Sequence, residues 1–591
     1  MSDRETVGEM RRSRWALAAL AAMTLTVTMA APAAGAGQPR TIPIQLLAIN
    51  DLHGNLEPPQ GSSGNVTTLD ATGAPVSVPA GGAAYLATHL AQASATNPNS
   101  LTIAAGDLIG GSPLLSAAFH DEPTILALKA MGLDDSSVGN HEFDEGSAEL
   151  KRINYGGCHP TEGCYDTTPY PGGRFYLAAN VLETKTHLPV LPPVSIRKVG
   201  GATIGFIGMT LEDTPSVVTA AGVAGLKFLD EVRTANGYAK LLRLAGVEAI
   251  VVLVHEGGTP ASQVYNYNCD ANGPGSGLTG PIVDIAKGLD PSIDLVVSAH
   301  THQSYVCTIP DPAGNPRLVT QASSFGKLYT DIDATYDKRT RDFVRSSITA
   351  KNMIVTRDVT PDPAVAAIVA KYQGLIGPIA NKPVGYIAGN ILGRGGSTPE
   401  RPLGDVIADA QLAATSSAST GGAQIALMNT GGIRADLVYA QSGAEGDGVV
   451  TYGEAFAVQP FNNNLVTLDY TGAQLLTVLQ QQFTGINAAS PRYLQISANL
   501  HWTADLSRTG ADRVVADSVT INGAPLDLAA TYRVTVNNFL AGGGDGYLEL
   551  ANGQNPLVGQ LDIDAFTTYL TANSTPTSPL PVPPLNRISF L

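Results

Sequence analysis

Residues 138–146 read Val138-Gly139-Asn140-His141-Glu142-Phe143-Asp144-Glu145-Gly146. An amide, an imidazole and two carboxylates fall within five consecutive positions of this stretch. Asn and neutral His side chains can both bind a divalent cation. A structural interpretation is the alternative, in which Asn140 opens a turn and the acidic residues form the first turn of a helix. Partners elsewhere in the chain decide between these interpretations.

Apolar runs in the first half of the chain end in side chains of the same ligand type. Runs rich in Val, Ile and Leu predict buried strands. Four of them precede candidate ligands: 42–50 before Asp51 and His53, 101–105 before Asp107, 247–254 before His255, and 293–299 before His300 and His302. Helical patterns lie at 83–93, 124–131, 237–245 and 282–289. Strands that alternate with helices predict an α/β domain, whose site lies beyond the carboxyl ends of its strands.

The later sequence predicts a second domain. Apolar runs at 318–322, 328–336 and 346–355 have no helix between them, so we expect antiparallel pairs that close the first domain. A Pro-flanked helix at 363–375 predicts a connector. Strands and helices then alternate again and predict an α/β or α+β domain. We expect these divisions: signal peptide 1–36, first domain 41–357, connector 358–381, second domain 382–573, and a loosely packed Pro-rich tail 574–591.

Charge and the N-terminal pattern restrict the partners and the location. The net charge of −16 argues against affinity for nucleic-acid polymers or anionic membranes. Three arginines, Arg11, Arg12 and Arg14, precede an apolar run at 15–30, which predicts an export signal, with a non-cleaved anchor as the alternative. We therefore expect a secreted, periplasmic or cell-wall-associated monomer with no membrane span after signal removal.

The four cysteines fit an oxidising compartment. They permit three pairings, of which we favour Cys158 with Cys164 and Cys269 with Cys307. A zinc ribbon is disfavoured because only one pair is closely spaced and its loop is too long for a CxxC knuckle.

The candidate ligands are numerous enough for two metals that share a carboxylate. Two divalent cations about 3.5–4 Å apart can clamp a phosphoryl oxygen and hold a hydroxide between them, which is a nucleophile at neutral pH. The set comprises Asp51, His53, Asp107, Asn140, His255, His300 and His302. These side chains suit Zn²⁺, Mn²⁺ or similar ions, and the sequence leaves the metal identity open.

These motifs together carry a family resemblance. The chain resembles the binuclear metallophosphatase superfamily, and within it the secreted bacterial 5′-nucleotidase family that includes UDP-sugar hydrolases, through Asp51-x-His53, Gly106-Asp107, Gly139-Asn140-His141-Glu142, His255 and Ala299-His300-Thr301-His302. Ala299 stands where the family usually has Gly. The resemblance implies an N-terminal α/β sandwich (αββα) joined by a helical connector to a C-terminal α/β (α+β) substrate-binding domain.

The family pattern also implies a role for each residue of the site. One metal would be held by Asp51, His53, Asp107 and His302, and the other by Asp107, Asn140, His255 and His300. His141 resembles the family's catalytic His, which stabilises charge on the transferring phosphoryl group. Asp144 would pair with His141 and keep it protonated. For Glu142 we expect only that it orients the loop through hydrogen bonds.

A substrate pocket is predicted in the second domain. Arg434, in Asn429-Thr-Gly-Gly-Ile-Arg434, suits a phosphate or carboxylate, or alternatively a structural ion pair at a Gly turn. Phe461 and Phe539 lie in predicted turns, where two facing rings could stack on a base at about 1–3 kcal/mol per base. The resemblance implies this sandwich, Asp545 as an acceptor for ribose hydroxyls, and a pocket completed by Asn429 and by either Arg394 or Arg401.

We therefore expect an exported two-metal phosphohydrolase that acts on extracellular nucleotides. Nucleoside 5′-monophosphates come first, with UDP-sugars and nucleoside di- and triphosphates as further substrates. One rival is a 2′,3′-cyclic-nucleotide phosphodiesterase/3′-nucleotidase, against which Asp144 stands where that relative typically has Asn. The other rival is a metal-stabilised nucleotide-binding protein without turnover.

Overall fold

Two β-sheets, packed face to face, form the centre of the N-terminal domain in this computed structural model. The structure describes residues 40–591, apart from 60, 167, 220, 395–397 and 489. The predicted signal peptide lies outside the described residues. Residues 41–591 form one compact unit. Among the described residues, no helix is both long and apolar enough to span a bilayer.

The first sheet has seven strands. Its parallel part runs from Thr41–Ile49 through Ser100–Ala104 and Leu133–Ser137 to Tyr176–Leu177. Antiparallel strands complete it: Leu328–Asp337 pairs with Thr41–Ile49, and it also pairs with Asp342–Phe343 and Thr349–Ile354.

The second sheet has six strands, in the order Ser304–Thr308, Leu318–Ala322, Leu295–Ser298, Ala249–His255, Ala202–Thr210 and Val194–Val199. The four central strands are parallel. The strand Leu318–Ala322 was expected to pair antiparallel with the strands that close the first domain. It instead runs parallel to Leu295–Ser298 and antiparallel to Ser304–Thr308, because a short hairpin returns the chain to the second sheet.

The alternation of apolar side chains along the strands explains the layering. In Thr41–Ile49, Ile44 and Leu46 point into the core between the sheets, whereas Leu47 and Ile49 join the core under the helices. Helices cover both outer faces, and the predicted αββα sandwich is confirmed. The helices of this domain are Ala83–Ser94, Leu114–Ala117, Glu122–Ala130, Gly146–Tyr155, Thr214–Val217, Glu231–Leu244 and Pro281–Gly288. Its short strand pairs are Asn65–Leu69 with Pro75–Pro79, Val181–Glu183 with Leu226–Phe228, and Thr259–Pro260 with Leu278–Thr279.

One helix begins six residues earlier than the pattern predicted. We expected its start at Gly237, but it begins at Glu231, because the Asp230 side chain caps it by accepting from the Arg233 main-chain N–H (2.6 Å).

The connector helix spans Pro363–Leu375, and a short helix, Gly377–Ala380, follows it. The Asp362 carboxylate accepts from two main-chain N–H groups of its first turn, and Pro363 at the first helical position has no N–H to satisfy.

The C-terminal domain is α+β. Its five-stranded sheet has the order Leu494–Ile496, Ile425–Asn429, Thr531–Asn537, Asn464–Thr471 and Gln554–Leu561. A second sheet contains Ala524–Pro525, Thr520–Ile521, Leu500–Ala504 and Ile588–Phe590, and Pro383–Tyr386 pairs with Val449–Thr451. Its helices are Pro402–Thr415, Tyr452–Val458, Gly472–Gln480, Asn538–Ala541 and Asp562–Asn573. The predicted hairpin at 519–525 turns at Asn522 and Gly523, which have the positive φ values (53° and 74°) that its two-residue turn requires.

The prediction of a loosely packed tail was wrong. Residues Ile588–Phe590 form a strand parallel to Leu500–Ala504. The side chain of Arg587 is buried and makes a two-pronged ion pair with Asp409 (2.9 and 2.7 Å). The ion pair between Arg587 and Asp409 thus anchors this segment. The Pro-rich composition of the segment gave no indication of this contact.

Both favoured disulfides, Cys158–Cys164 and Cys269–Cys307, are present.

Candidate active site

Six predicted ligand side chains meet where strands of both sheets end, and Asn140 is buried in the loop that bonds Asp107 through the next residue, His141. Asp51, Asp107 and Asn140 follow parallel strands of the first sheet, and His255 ends a strand of the second sheet. Because carboxyl ends of parallel strands share one edge of a sheet, residues distant in sequence converge here.

The loops that carry these side chains have unusual backbone conformations. Five of the seven residues have positive φ values, between 46° and 71°: Asp51, His53, Asp107, His300 and His302. Non-glycine residues rarely adopt this conformation, and such residues cluster at functional sites where the surroundings hold them in place.

At this site three groups of side chains each present their ligand atoms within 4.8 Å of one another: Asp51, His53 and His302; Asp107, His255 and His300; and His53, Asp107 and His141. Between the first two groups, Nε2 of His53 lies 3.7 Å from Oδ2 of Asp107. Within them, Nε2 of His302 lies 3.6 Å from Oδ1 of Asp51, and Nε2 of His255 lies 2.9 Å from Oδ2 of Asp107.

Hydrogen bonds fix which ring nitrogens face the cluster. Nδ1 of His53 donates to the Gly110 carbonyl and Nδ1 of His255 donates to the Ala105 carbonyl, each at 2.8 Å. Nε2 of each of these two rings therefore faces the cluster, and Nε2 of His53 lies 3.0 Å from Nε2 of His302. Two facing nitrogens at this distance need a proton or a cation between them.

One buried polar atom beside the cluster, Oδ1 of Asn140, has no hydrogen-bond partner. Buried polar atoms are rarely left unsatisfied, and a cation at this point would satisfy it. Burial lowers the pKa of His53 and of His300 to about 4, so both rings stay neutral and keep the lone pair that metal binding requires. Burial opposes charge on His255 as well, yet Asp107 raises its pKa to about 9, which shows that this position favours positive charge. Two carboxylates, four imidazoles and an amide fit two borderline divalent cations.

His141 lies beside this cluster but is held by other contacts. Its Nδ1 lies 2.7 Å from Oδ2 of Asp144, and its main-chain N–H donates to Oδ1 of Asp107 (2.9 Å). Burial alone would lower the pKa of His141, but the charges of Asp144 and Asp107 outweigh it and raise the pKa to about 10. The ring is therefore an imidazolium at neutral pH and can donate a hydrogen bond from Nε2.

Glu142 has a structural role that the sequence did not resolve. Its carboxylate is buried and accepts from the main-chain N–H groups of Asp107 (3.0 Å), Leu108 (2.9 Å) and Gly139 (2.5 Å), and from the Tyr176 hydroxyl (3.0 Å). The two loops that carry Asp107 and Asn140 are thus tied together by one side chain.

The C-terminal domain supplies the opposite wall of the site. A cavity of about 260 Å³ is lined by His53, Asp107, His141, His300 and His302 on one side, and by Phe461, Asn462, Asn463 and Asn538 on the other. The Asn462 amide donates to the Ser112 carbonyl (2.5 Å) across the two domains. The guanidinium carbon of Arg434 lies 5.6 Å from the centre of the Phe461 ring.

A second cavity, of about 340 Å³, lies within the C-terminal domain. Four arginines line it: Arg394, Arg401, Arg434 and Arg492. The structure thus places both arginine candidates at the same cavity. Arg492 was missed, because its segment, Ser490-Pro491-Arg492-Tyr493, has no glycine-rich turn that would single it out.

The remaining predicted residues, Asn429, Phe539 and Asp545, adjoin residues that line these cavities without lining them themselves. The Asn429 amide donates to Oδ2 of Asp545 (2.7 Å). The ring of Phe539 is half exposed and packs on Gly544, where an added Cβ would lie 2.5 Å from the ring. Phe461 is 42% exposed, and among the described residues no ring-to-ring contact joins the two phenylalanines.

Comparison with known families matches both halves of the chain. Residues 44–304 match the calcineurin-like phosphoesterase family, and residues 381–552 match the 5′-nucleotidase C-terminal domain.

Individual relatives agree with these matches. The chain is 34% identical to the cell wall protein Lmo0130 of Listeria monocytogenes, over 92% of this chain and 69% of the relative. It is 33% identical to the endonuclease YhcR of Bacillus subtilis, over 90% of this chain but only 40% of that longer relative. The crystal structure of a 5′-nucleotidase precursor from Thermus thermophilus superimposes with a TM-score of 0.55 at 26% identity, over 93% of this chain and 99% of the other.

Proposed function

The chain belongs to the 5′-nucleotidase family of calcineurin-like phosphoesterases and is a phosphoester hydrolase, and we propose that it removes the phosphate of nucleoside 5′-monophosphates outside the cytoplasm. UDP-sugars and nucleoside di- and triphosphates are proposed as further substrates. One observation supports this most directly: a histidine–aspartate pair, a cluster of ligand-type side chains and an exposed aromatic ring adjoin one cavity.

The family implies divalent metal ions, and we propose that the two groups around Asp51 and Asp107 hold them, with Asn140 as a further ligand. When bound, two such ions supply charge neutralisation for a phosphoryl oxygen and activate water at neutral pH.

His141 is proposed as the residue that contacts the transferring phosphoryl group. Its Nδ1 is engaged by Asp144, so Nε2–H is free to donate to an equatorial phosphoryl oxygen as negative charge develops there. Asp144 keeps the ring protonated and fixes its orientation. The bond from the His141 main chain to Asp107 sets the distance between this donor and the ligand cluster.

Residues of the C-terminal domain are proposed to select the nucleoside. Phe461 lines the cavity and is 42% exposed, which suits stacking on a base. Phe539, also exposed, is the proposed second face of the sandwich, and Arg434 is proposed to contact the phosphate side of the substrate. Asp545 is the proposed acceptor for the ribose hydroxyls, with Asn429 holding its second oxygen.

Export is proposed from independent features. Both pairs of cysteines are disulfide-bonded, which fits an oxidising compartment. The Listeria relative is named a cell wall protein. Together with the predicted signal peptide, these features favour a periplasmic, cell-wall-associated or secreted enzyme.

A substrate panel tests the proposal. The purified protein, supplied with Zn²⁺ or Mn²⁺, is assayed for phosphate release from AMP, 3′-AMP, 2′,3′-cyclic AMP and UDP-glucose. We expect the highest kcat/KM with AMP. Preference for the cyclic nucleotide and 3′-AMP would replace the proposal with the phosphodiesterase/3′-nucleotidase alternative, and binding without turnover of any substrate would favour the nucleotide-binding alternative.

A further inference from the structure

Two histidines and two glutamates lie together beside the active site, and the proposed mechanism uses none of them. Nδ1 of His120 lies 2.6 Å from Oε2 of Glu145, and Nε2 of the same ring lies 3.5 Å from Oε2 of Glu162. The ring of His159 stacks on that of His120, with the ring centres 3.9 Å apart. Ligand-type atoms of His120, Glu145 and His159 all lie within 4.8 Å of one another. We call these four residues the His120 cluster.

A disulfide holds half of the His120 cluster in place. His159 and Glu162 both belong to the loop that the disulfide Cys158–Cys164 closes. Within this loop, the main-chain groups of His159 and Gly163 exchange two hydrogen bonds (2.9 and 3.0 Å), and the Tyr165 hydroxyl donates to Oε2 of Glu162 (2.5 Å). Side chains on such a closed loop lose less conformational freedom when they bind a ligand than side chains on an open one.

The other half of the cluster belongs to the surroundings of the active site. Glu145 directly follows Asp144, whose carboxylate lies 2.7 Å from Nδ1 of His141. One cavity of about 20 Å³ is lined by residues of both places, among them His120, His141, Asp144 and Glu145. An ion held by the His120 cluster would therefore join the disulfide-closed loop to the segment that carries Asp144.

The charge and the exposure of the cluster suit a cation taken up from solvent. The side chains of Glu145 and Glu162 are about half exposed, so an ion can reach them. Burial opposes charge on His120, yet the hydrogen bond to Glu145 and the charges of both glutamates raise its pKa, so this position favours positive charge. With both imidazoles neutral, two carboxylates carry the charge that one divalent cation neutralises.

The donor types select the class of metal. Two imidazole nitrogens and two carboxylate oxygens suit Zn²⁺ and, next to it, Ni²⁺ and Cu²⁺, whereas Mg²⁺ and Ca²⁺ prefer oxygen ligands alone. Four protein ligands also match the tetrahedral coordination typical of zinc.

Binding requires one side chain to move. Two stacked rings cannot both aim a lone pair at the same ion, so the His159 ring has to turn out of the stack. The turn gives up two long contacts of its Nδ1, with the Glu162 main-chain N–H (3.2 Å) and with the Thr161 hydroxyl (3.4 Å). Hydrogen bonds of this length are weak, and the loop around His159 is largely exposed, so little opposes the rotation.

We propose that the His120 cluster binds one divalent ion of the zinc class, at a site separate from the two metal positions around Asp51 and Asp107. The ion joins the disulfide-closed loop to the segment that carries Asp144. The two sites share no side chain, so this inference depends neither on the substrate nor on the metal content of the active site. Because its carboxylates are half exposed, the ion should leave during dialysis against metal-free buffer, whereas the buried positions keep theirs.

The zinc content of the full chain tests the proposal. The wild type and His159→Ala are dialysed at about pH 8, where protons compete less for the ligands, against buffered micromolar Zn²⁺ with Mg²⁺ in excess. Elemental analysis by mass spectrometry then gives the zinc per chain. We expect His159→Ala to hold one zinc fewer than the wild type, and calorimetry to show a Kd for this ion raised about a hundredfold or more, because a direct ligand is lost.

His187→Ala is the matched control, since it removes an exposed histidine outside the cluster, and it should hold as much zinc as the wild type. The readout is a difference of one ion between wild type and His159→Ala. That difference remains even if the metal positions proposed for the active site fail to bind zinc, which would lower both totals alike. Equal zinc content in the wild type and His159→Ala would overturn the proposal.

Crystallography of the wild type decides the matter without any variant. Diffraction data collected on both sides of the zinc absorption edge, from crystals grown with Zn²⁺, locate each zinc by its anomalous signal. We expect a peak about 2.0–2.1 Å from a ring nitrogen of His120 and of His159, with the His159 ring turned out of the stack. Absence of a peak at the His120 cluster would overturn the proposal, whatever the peaks at the active site.

Discussion

Nδ1 of His141 lies 2.7 Å from Oδ2 of Asp144, on the side of the ring opposite to the cavity that its Nε2 faces. The same histidine donates its main-chain N–H to Asp107. One residue is therefore tied both to a carboxylate that keeps it charged and to the carboxylate shared by the two proposed metal positions. This arrangement separates the proposed phosphoryl contact from the proposed metal ligands.

Removal of the Asn140 amide should weaken one metal position. Oδ1 of Asn140 is buried and has no hydrogen-bond donor, so a cation is its proposed partner. We expect Asn140→Ala, after dialysis against metal-free buffer, to retain about one metal per chain where the wild type retains two. Elemental analysis by mass spectrometry measures this. His187→Ala changes an exposed histidine and serves as the control. Two tightly held metals in Asn140→Ala would remove Asn140 from the ligand set.

Glu142→Gln should be damaging despite its similar size. The Glu142 carboxylate accepts four hydrogen bonds, three of them from main-chain N–H groups. In the Glu142→Gln variant the NH₂ group, which can only donate, would replace one of the two accepting oxygens and face these N–H and O–H groups. Each buried donor left without an acceptor costs about 1–3 kcal/mol. We expect a lower Tm and weaker metal binding than in the wild type. Differential scanning fluorimetry gives the Tm, and the difference in Tm with and without a chelator reports how much bound metal stabilises each protein. Wild-type values in Glu142→Gln would show that the carboxylate does not organise these loops.

Phe461→Ala should act on nucleotides more than on small phosphate esters. Stacking of a base on an aromatic ring is worth about 1–3 kcal/mol, so KM for AMP should rise roughly tenfold. Steady-state kinetics with AMP and with p-nitrophenyl phosphate provide the comparison, and Phe461→Tyr, which keeps the ring, should retain the KM for AMP. Equal losses on both substrates would assign Phe461 to packing at the domain interface.

Arg587→Ala should destabilise the C-terminal domain. The side chain is 7% exposed and pairs with Asp409 at 2.7 Å, while Asp405 lies 3.6 Å away and is fully buried. Removal of Arg587 leaves the partly buried Asp409 without its counter-charge, beside Asp405, whose pKa burial already raises to about 8, and breaking such a pair costs about 3 kcal/mol. Calorimetry should show a lowered Tm, whereas Arg508→Ala, which removes an exposed pair, should show little change. An unchanged Tm in Arg587→Ala would mean that the tail packs without this anchor.

Much of the site could be predicted from the sequence because its residues occupy strand ends. Short runs of Val, Ile and Leu identified the strands before Asp107 and His255, and parallel strands bring their carboxyl ends together whatever their distance in sequence. The alternation of strands and helices predicted an α/β domain, the family resemblance implied the helix-covered sandwich, and flanking prolines predicted the connector helix.

Features that depend on a single tertiary contact could not be predicted. Arg587 anchors a Pro-rich segment whose composition indicates looseness, and Arg492 reaches Asp545 from a loop 53 residues earlier. Glu142 was recognisable as a loop residue, but its four donors come from three separate segments. Helix starts were misplaced where a capping carboxylate, as at Asp230, outweighed the apolar pattern.

The metal content and the turnover number of His141→Ala, measured on the same preparation, test the central claim most directly. Loss of one pre-organised donor at a developing oxyanion typically lowers kcat by about 10²–10³-fold. The account predicts a decrease of this size in AMP hydrolysis with two metals still bound per chain. A preparation of His141→Ala that loses metal, or that keeps the wild-type kcat, would contradict the assignment of His141 to the phosphoryl group.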